Sequence, residues 1–442
     1  MMRYAKMKRA NEYDVLVIGG GIAGIEASLT LGDAGYKVLL VEKEGSIGGK
    51  MALLSKTFPT LDCASCISTP KMAAAAHHPN ITLLTYSEVQ EVVKNGEADF
   101  SVKILKKPRY VDLDACTGCG VCENVCPVIV SDEFQFDMRG RKAAYIPFDI
   151  AVPKKAIIDL DNCILCGSCE RACPAGAIDF TQEPEILEVK VGAIIIATGF
   201  KLFSPTLRPE FGYGRCKNVI TAMQMDRLLA PTRPYNSVLR PSDGKEPMRI
   251  AYILCVGSRD HKVGNPYCSQ ICCMYSIKQA QLIMGALPLA DVSIFYIDIR
   301  AFGKGFEEFF NQTQAMGTMF IKGRVVVVDE DEKGNVVVKY EDMDDGGKLK
   351  EDTFDLVVLA VGALPNSDIV KVFKNVNIEL DEVGWIKQVD PNNNPAATSV
   401  PGVFVAGCAS GPKDIPDSIV EADAAAAQCM AYLNEHKYRT KR

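Results

Sequence analysis

The sequence predicts an α/β chain with two dinucleotide-binding folds and a small cysteine-rich insert. Three observations predict it. An apolar strand, a glycine-rich turn, a helix and a second strand follow in order over residues 13–43. A doubled cysteine repeat lies within residues 109–182. A second strand-led segment opens at 248 and runs to 299.

The first segment places Gly19, Gly21 and Gly24 in the G-x-G-x-x-G register after the strand Tyr13–Ile18. Gly19 permits the tight turn, Gly21 lets backbone approach a pyrophosphate, and Gly24 lets helix pack on strand. The helix N-terminus then faces the phosphates. The next strand ends on Glu42, which can accept hydrogen bonds from an adenosine ribose. Lys43 begins the following stretch, which carries Gly48, Gly49 and Lys50. Two-dinucleotide flavoproteins have a similar E-x5-G-G stretch, with FAD in the first fold. Further flavoprotein marks are the buried strand that ends at Gly199 and its later counterpart ending at Gly362. The strand Val403–Cys408 reads as the one that brings a helix N-terminus to the flavin. Such proteins usually show Gly-Asp there, and this sequence has Gly407 and Cys408.

Each half of the insert is a C-x2-C-x2-C-x3-C-P run, the signature of a bacterial two-cluster ferredoxin. Three thiolates of a run hold one [4Fe–4S] cubane and the fourth reaches the other. One cluster therefore takes Cys116, Cys119, Cys122 and Cys173. The other takes Cys163, Cys166, Cys169 and Cys126. The runs are joined by a linker of 36 residues, longer than in a minimal ferredoxin. The proline after each run and the crossed spacing argue against zinc.

The strand Met248–Leu254 opens what should be a second dinucleotide fold, but no tight glycine motif follows it. In its place stand Cys255, Cys268, Cys272 and Cys273, spaced C-x12-C-x3-C-C. Four thiolates in one loop and helix start can complete a further [4Fe–4S] site. The alternative is that they are small buried residues of a degenerate fold. Lys278 lies five residues on. A cation one turn into this helix can point toward the isoalloxazine and donate near N5, or it is a solvated helix lysine.

The rest of the chain narrows the class. Its 442 residues allow two or three domains, and a net charge of −6 offers no nucleic-acid-binding face. No run of about 18 apolar residues predicts a membrane span. The basic start (Arg3, Lys6, Lys8, Arg9) lacks the apolar region of a signal peptide. Seventeen cysteines, many two or three residues apart, suit metal ligation in a reducing cytoplasm better than disulfides. Cys63 and Cys66 form a C-x2-C pair: a redox dithiol, half of a cluster completed by another chain, or inert thiols. Cys216 and Cys429 read as packing residues, and His77–His78 as a loop. The acidic runs 329–332 and 341–347 read as hairpin turns.

Together these residues resemble the A component of heterodisulfide reductase and its bacterial relatives. The matching pieces are Gly19–Gly24, the segment from Phe58 through Cys63 and Cys66, the ferredoxin insert, Cys255–Asp260, the Tyr267–Lys278 string, Gly407, and the stretch from Gly411 through Ile415. The resemblance implies a thioredoxin-reductase-like flavoprotein core whose nicotinamide site has become a cluster site. It adds Lys278 and Ile415 to the site residues. It also implies FAD, electron exchange with partner subunits and, in some members, flavin-based electron bifurcation. Methanogen-type members carry further N- and C-terminal domains. Here the FAD fold begins at Tyr13 and the sequence ends soon after the helix Asp417–Leu433, which leaves fewer clusters and fewer electron routes.

The expected organisation is an FAD-binding domain in three pieces (12–108, 183–245 together with a connector, and 354–442), a ferredoxin domain at 109–182, and a degenerate nicotinamide-type domain with a cluster loop at 246–353. The expected cofactors are FAD, two [4Fe–4S] clusters in the insert and one at the Cys255 loop. The expected partners are heterodisulfide-reductase B- and C-like subunits, a hydrogenase- or dehydrogenase-linked small iron–sulfur subunit, or ferredoxin. Nucleic acid and direct membrane insertion are not expected. The rival reading is a self-contained NAD(P)H-dependent disulfide reductase that uses Cys63 and Cys66.

Overall fold

The computed structural model describes residues 12–438, so the basic start lies outside the described residues. Among them no helix is long and apolar enough to cross a membrane. The chain forms two compact units. The first takes in residues up to 52, 66–200 and from 365 on; the second takes in 53–65 and 201–364.

The first unit is built on a parallel sheet. Its strands run in the order Ile81–Thr85, Val38–Glu42, Glu12–Ile18 and Glu185–Ile196, with Val403–Val405 beside the last. Both faces are covered, so the strands read as continuous apolar runs. Alternate residues still part by face: Val15 and Val17 join one core cluster, Leu16 and Ile18 the other. The first cluster includes residues of the helices Ile22–Asp33 and Ile415–Leu433. Leu16 and Leu31 are fully buried, and truncating either to alanine costs about 2–5 kcal/mol. The 12-residue strand Glu185–Ile196 serves twice. Its first half pairs antiparallel with Asp99–Lys106 and its second half parallel with Glu12–Ile18.

The insert has little regular structure, as expected where cysteine loops replace a large core. Two five-residue helices, Val121–Val125 and Ser168–Ala172, each follow a left-handed glycine, Gly120 (φ 78°) and Gly167 (φ 69°). Each places its run's third cysteine, Cys122 or Cys169, in the small core with Val111, Ile158 and Ile178. At the insert's start the buried Arg109 donates to the Gly45 carbonyl (2.7 Å) and the Thr85 hydroxyl (2.6 Å). That ties the insert to the sheet.

The second unit has a seven-stranded sheet: Val219–Thr221, Leu356–Val361, Arg249–Val256, Asp291–Tyr296, Met319–Glu330, Val336–Asp342 and Lys348–Phe354. The first five strands are parallel and the last three form antiparallel hairpins. The acidic runs straddle the hairpin turns: the first two residues of each close a strand and the rest lie in the turn. Two stretches differ from the sequence reading. Val219–Thr221 and Leu356–Val361, expected within the FAD-binding domain, lie in this sheet. An apolar central strand reads the same in either sheet, because its composition reports burial and not its partner. Cys216 and Cys429 are buried in core clusters. His77 ends the helix Ala64–His77, its Nδ1 2.7 Å from the Ala73 carbonyl oxygen, where a loop was expected; the alanines before it favour continued helix.

Candidate functional site

Three groups of expected site residues sit on these frames. At the glycine turn, a Cβ on Gly24 would overlap the carbonyl oxygen of Gly19, whereas Gly21 faces open space. Gly21 is also the N-cap of the Ile22–Asp33 helix, with no side-chain cap. Its first-turn N–H groups are therefore available to an anion. An open glycine beside uncapped amides fits the pyrophosphate of a dinucleotide.

Glu42 is 7% exposed. It accepts from the Gly20 amide (2.6 Å) and the Glu44 amide (2.9 Å). Each oxygen keeps lone-pair capacity for a further donor such as a ribose hydroxyl. Burial raises its pKa, and the two amides pull it back. Lys43 is exposed and pairs with Glu44 at 3.7 Å. Lys50 lies over the Phe200 ring, 4.9 Å from its centre, and burial lowers its pKa. Gly199 (φ 66°) follows the strand end and faces open space. Gly407 (φ 61°) packs against Ala23 and Ser418. Cys408, where such folds usually carry an aspartate, lies 3.4 Å from the Lys413 carbonyl oxygen, and burial raises its pKa. Ile415 begins the helix whose N-terminus Asp414 caps through the Asp417 amide.

In the insert the thiols line two cavities. Cys116, Cys119 and Cys122 border one cavity together with Cys173. Cys163, Cys166 and Cys169 border a second together with Cys126. Among the described residues no three or more such side chains close on a point that a single metal ion fills. Backbone amides already aim at the sulfurs: Ala177 N–H at Cys173 (3.3 Å) and Leu165 N–H at Cys163 (3.4 Å). Such bonds stabilise thiolates bound to iron. Burial pushes Cys122 up to about 11, whereas the Val121 amide and the Thr117 hydroxyl lower Cys119 and the Ser168 hydroxyl and amide lower Cys166. The two halves differ at their surfaces. The loop of the first is covered by its own chain, with Gly118 against Lys154 and the Lys155 ammonium bonded to the Cys116 carbonyl. The matching loop of the second exposes Ile164 and Leu165, 64% and 66%.

In the second unit Cys255 is the next-to-last residue of the Arg249–Val256 strand, in a left-handed conformation (φ 61°). Cys272 and Cys273 are the first residues of the Cys272–Ala286 helix, which has no side-chain cap. Both are buried; Cys255 and Cys268 are half-buried. Burial raises the pKa of Cys272, and Cys255, Cys273 and Cys268 raise it further, so the four thiols stand within electrostatic reach of one another. Cys273 is pushed up to about 12, again by burial first. Ionising these neighbouring thiols together is unfavourable unless a bound metal balances the negative charge. Gly362, just after the Leu356–Val361 strand, packs against this loop at the Gly257 carbonyl and Ser258, where a Cβ would crowd both.

Lys278 is not a solvated lysine. It is 1% exposed and bonded to Asp226 and the Lys56 carbonyl. Sequence reasoning missed Asp226, whose only signal is an Asp-Arg pair in the short helix Ala222–Leu229. It also missed Asp298 and Arg300 beside the Cys255 loop, which no spacing announces. Cys63 immediately precedes the helix Ala64–His77, and Cys66 is exposed in its first turn.

Comparison with known proteins defines the class first. Residues 174–426, more than half of the chain, match the family model described as pyridine nucleotide-disulphide oxidoreductase. The chain belongs to that family and is an oxidoreductase. Residues 14–64 match an FAD dependent oxidoreductase model and residues 112–177 a 4Fe-4S dicluster domain.

More particular are the relatives. The chain is 51% identical over 421 residues to an A-type iron-sulfur component of the CoB--CoM heterodisulfide reductase of Methanopyrus kandleri, covering 95% of this chain and 64% of that one. It is 47% identical over 415 residues to the A-type component of the H(2):CoB-CoM heterodisulfide,ferredoxin reductase of Methanothermobacter thermautotrophicus, covering 93% and 63%. The chain thus spans just under two thirds of the length of these relatives. The T. acidophilum thioredoxin reductase crystal structure has the same fold, with a TM-score of 0.53 at 16% identity over 96% of this chain and 99% of that one.

Proposed function

We propose that this chain is an FAD- and iron–sulfur-dependent electron-transfer subunit of a heterodisulfide-reductase-like complex. It holds FAD through Gly19, Gly21, Gly24, Glu42 and the residues from Gly49 to Lys50. It holds two [4Fe–4S] clusters through the crossed cysteine sets and a third through Cys255, Cys268, Cys272 and Cys273. FAD supplies two-electron chemistry that can be divided into single-electron steps, and the clusters supply one-electron steps. The protein's share is to hold these groups, exclude water from the buried thiols and set their potentials. Partner redox subunits, B- and C-like, hydrogenase- or dehydrogenase-linked, or a ferredoxin, give and take the electrons. Electron bifurcation at the flavin is an extension of this reading.

The observation that carries the reading is the four-thiol loop. It occupies the strand-to-helix junction where a nicotinamide-binding fold uses glycines to cradle a pyrophosphate. The test is to mix the FAD- and cluster-loaded protein anaerobically with NADH or NADPH, then with a reduced ferredoxin. Reduction of flavin and clusters by ferredoxin, with no rapid bleaching by either nicotinamide, is expected. Rapid bleaching by NADPH together with a titrating disulfide at Cys63 and Cys66 would establish the self-contained disulfide reductase instead.

A further inference from the structure

Two guanidinium groups and one carboxylate stand beside the four-thiol loop. Arg259 Nη1 lies 2.6 Å from Asp298 Oδ1. Arg300 reaches the same carboxylate with Nε at 3.2 Å and Nη2 at 3.3 Å. Asp298 follows the Asp291–Tyr296 strand, and its carbonyl oxygen is 3.8 Å from Cys273 Sγ. Arg259 is held left-handed (φ 55°), and its amide donates to the Tyr267 carbonyl at 2.8 Å. Such strain in a non-glycine residue persists only where the surroundings fix it.

The geometry holds the charges at the thiols. Arg259 lies in the loop between Cys255 and Cys268, and the Asp298 backbone touches Cys273 Sγ. One carboxylate thus holds two cations beside the loop that carries the four thiols.

A cluster with four thiolate ligands is anionic and gains one more negative charge on reduction. Neighbouring net charge and hydrogen bonds to sulfur are among the levers on its potential. We propose that Arg259, Arg300 and Asp298 set the redox potential of the cluster at Cys255, Cys268, Cys272 and Cys273, the guanidiniums raising it and Asp298 acting as both their anchor and an opposing charge. This rests on the reading that these thiols hold a cluster. The side chains of Arg259, Asp298 and Arg300 are 24%, 43% and 47% exposed, so solvent and salt screen part of the effect.

A surface salt bridge with no role at the thiols predicts something different. Breaking it from either side would leave the potential alone, or loosen the loop and move the potential in one direction. The experiment is an anaerobic EPR-monitored redox titration of the full chain as parent, Arg259→Gln, Arg259→Lys and Asp298→Asn. Iron and FAD are measured in each sample. The relevant signal is the one lost in a Cys272→Ser/Cys273→Ser variant. Asparagine keeps an oxygen for the guanidiniums while removing the charge. The expected result is a midpoint below the parent for Arg259→Gln, above it for Asp298→Asn, and near it for Arg259→Lys, at equal iron content. Unshifted midpoints, or shifts of the same sign in the two neutralised variants, at full iron content overturn the proposal. If the serine pair loses neither iron nor any signal, the cluster reading itself fails, and the iron measurement tells that failure apart.

Discussion

Lys278 and Asp226 form a buried ion pair: Nζ lies 2.8 Å from both carboxylate oxygens, and the side chains are 1% and 2% exposed. The carboxylate also accepts from the Ser55 amide and hydroxyl (2.9 and 2.5 Å) and from Gln279 Nε2 (2.7 Å). Lys278 makes a further bond to the Lys56 carbonyl at 3.0 Å. One charge pair therefore ties the 55–56 segment to two helices of the same unit. Removing either partner leaves an uncompensated buried charge, which costs about 3–5 kcal/mol. Lys278→Met and Asp226→Leu should each lower the unfolding midpoint sharply. The double variant should lose less than the sum of the two. Additive losses would mean that the pair is not coupled.

At the four-thiol loop, Cys272→Ser together with Cys273→Ser should remove about four irons per chain while FAD stays bound. Iron analysis and the flavin absorbance of the same sample check both halves of this statement. Unchanged iron would make these cysteines packing residues only.

The crossed insert makes a finer demand. Cys173 closes the second run in sequence but borders the cavity of the first, and Cys126, the last cysteine of the first run, borders the cavity of the second. Cys126→Ser should therefore alter the same EPR signal as Cys166→Ser, and Cys173→Ser the same signal as Cys119→Ser. Pairing by sequence neighbourhood would give the opposite grouping.

How legible this was depends on where the information sits. The glycine turn and the cysteine runs are local: fixed spacings that a strand, a turn and a cluster require, so Gly19–Gly24 and the twelve cysteines proposed as cluster ligands could be picked out in sequence. Asp226 and Asp298 were not legible, because each acts on a residue far along the chain through tertiary contact. The strand Leu356–Val361 was read as a strand but assigned to the wrong sheet, since six buried apolar residues carry no label for their neighbours. Lys278 was picked out by its place after Cys273, but its burial was not; nothing adjacent announces the carboxylate that holds it.

Glu42 supplies a test by pH. Burial is the largest influence on it and raises its pKa; the Glu44 and Gly20 amides oppose this. The folded protein thus keeps the Glu42 proton to higher pH than the unfolded chain does. Between the ordinary carboxyl range and the raised folded value, the native state binds more protons than the unfolded state. The linkage relation then makes the Glu42 contribution to stability fall as pH rises through that window. It is fully present below the ordinary carboxyl value and lost above the folded one. Glu42→Gln cannot titrate, and its amide oxygen still accepts from a backbone N–H. In FAD-free protein, the stability of the parent relative to this variant should decline with rising pH across the window and level off above it. A difference that is flat with pH, or that grows as pH rises, would show that the buried carboxylate is stabilised as the anion by its two amides.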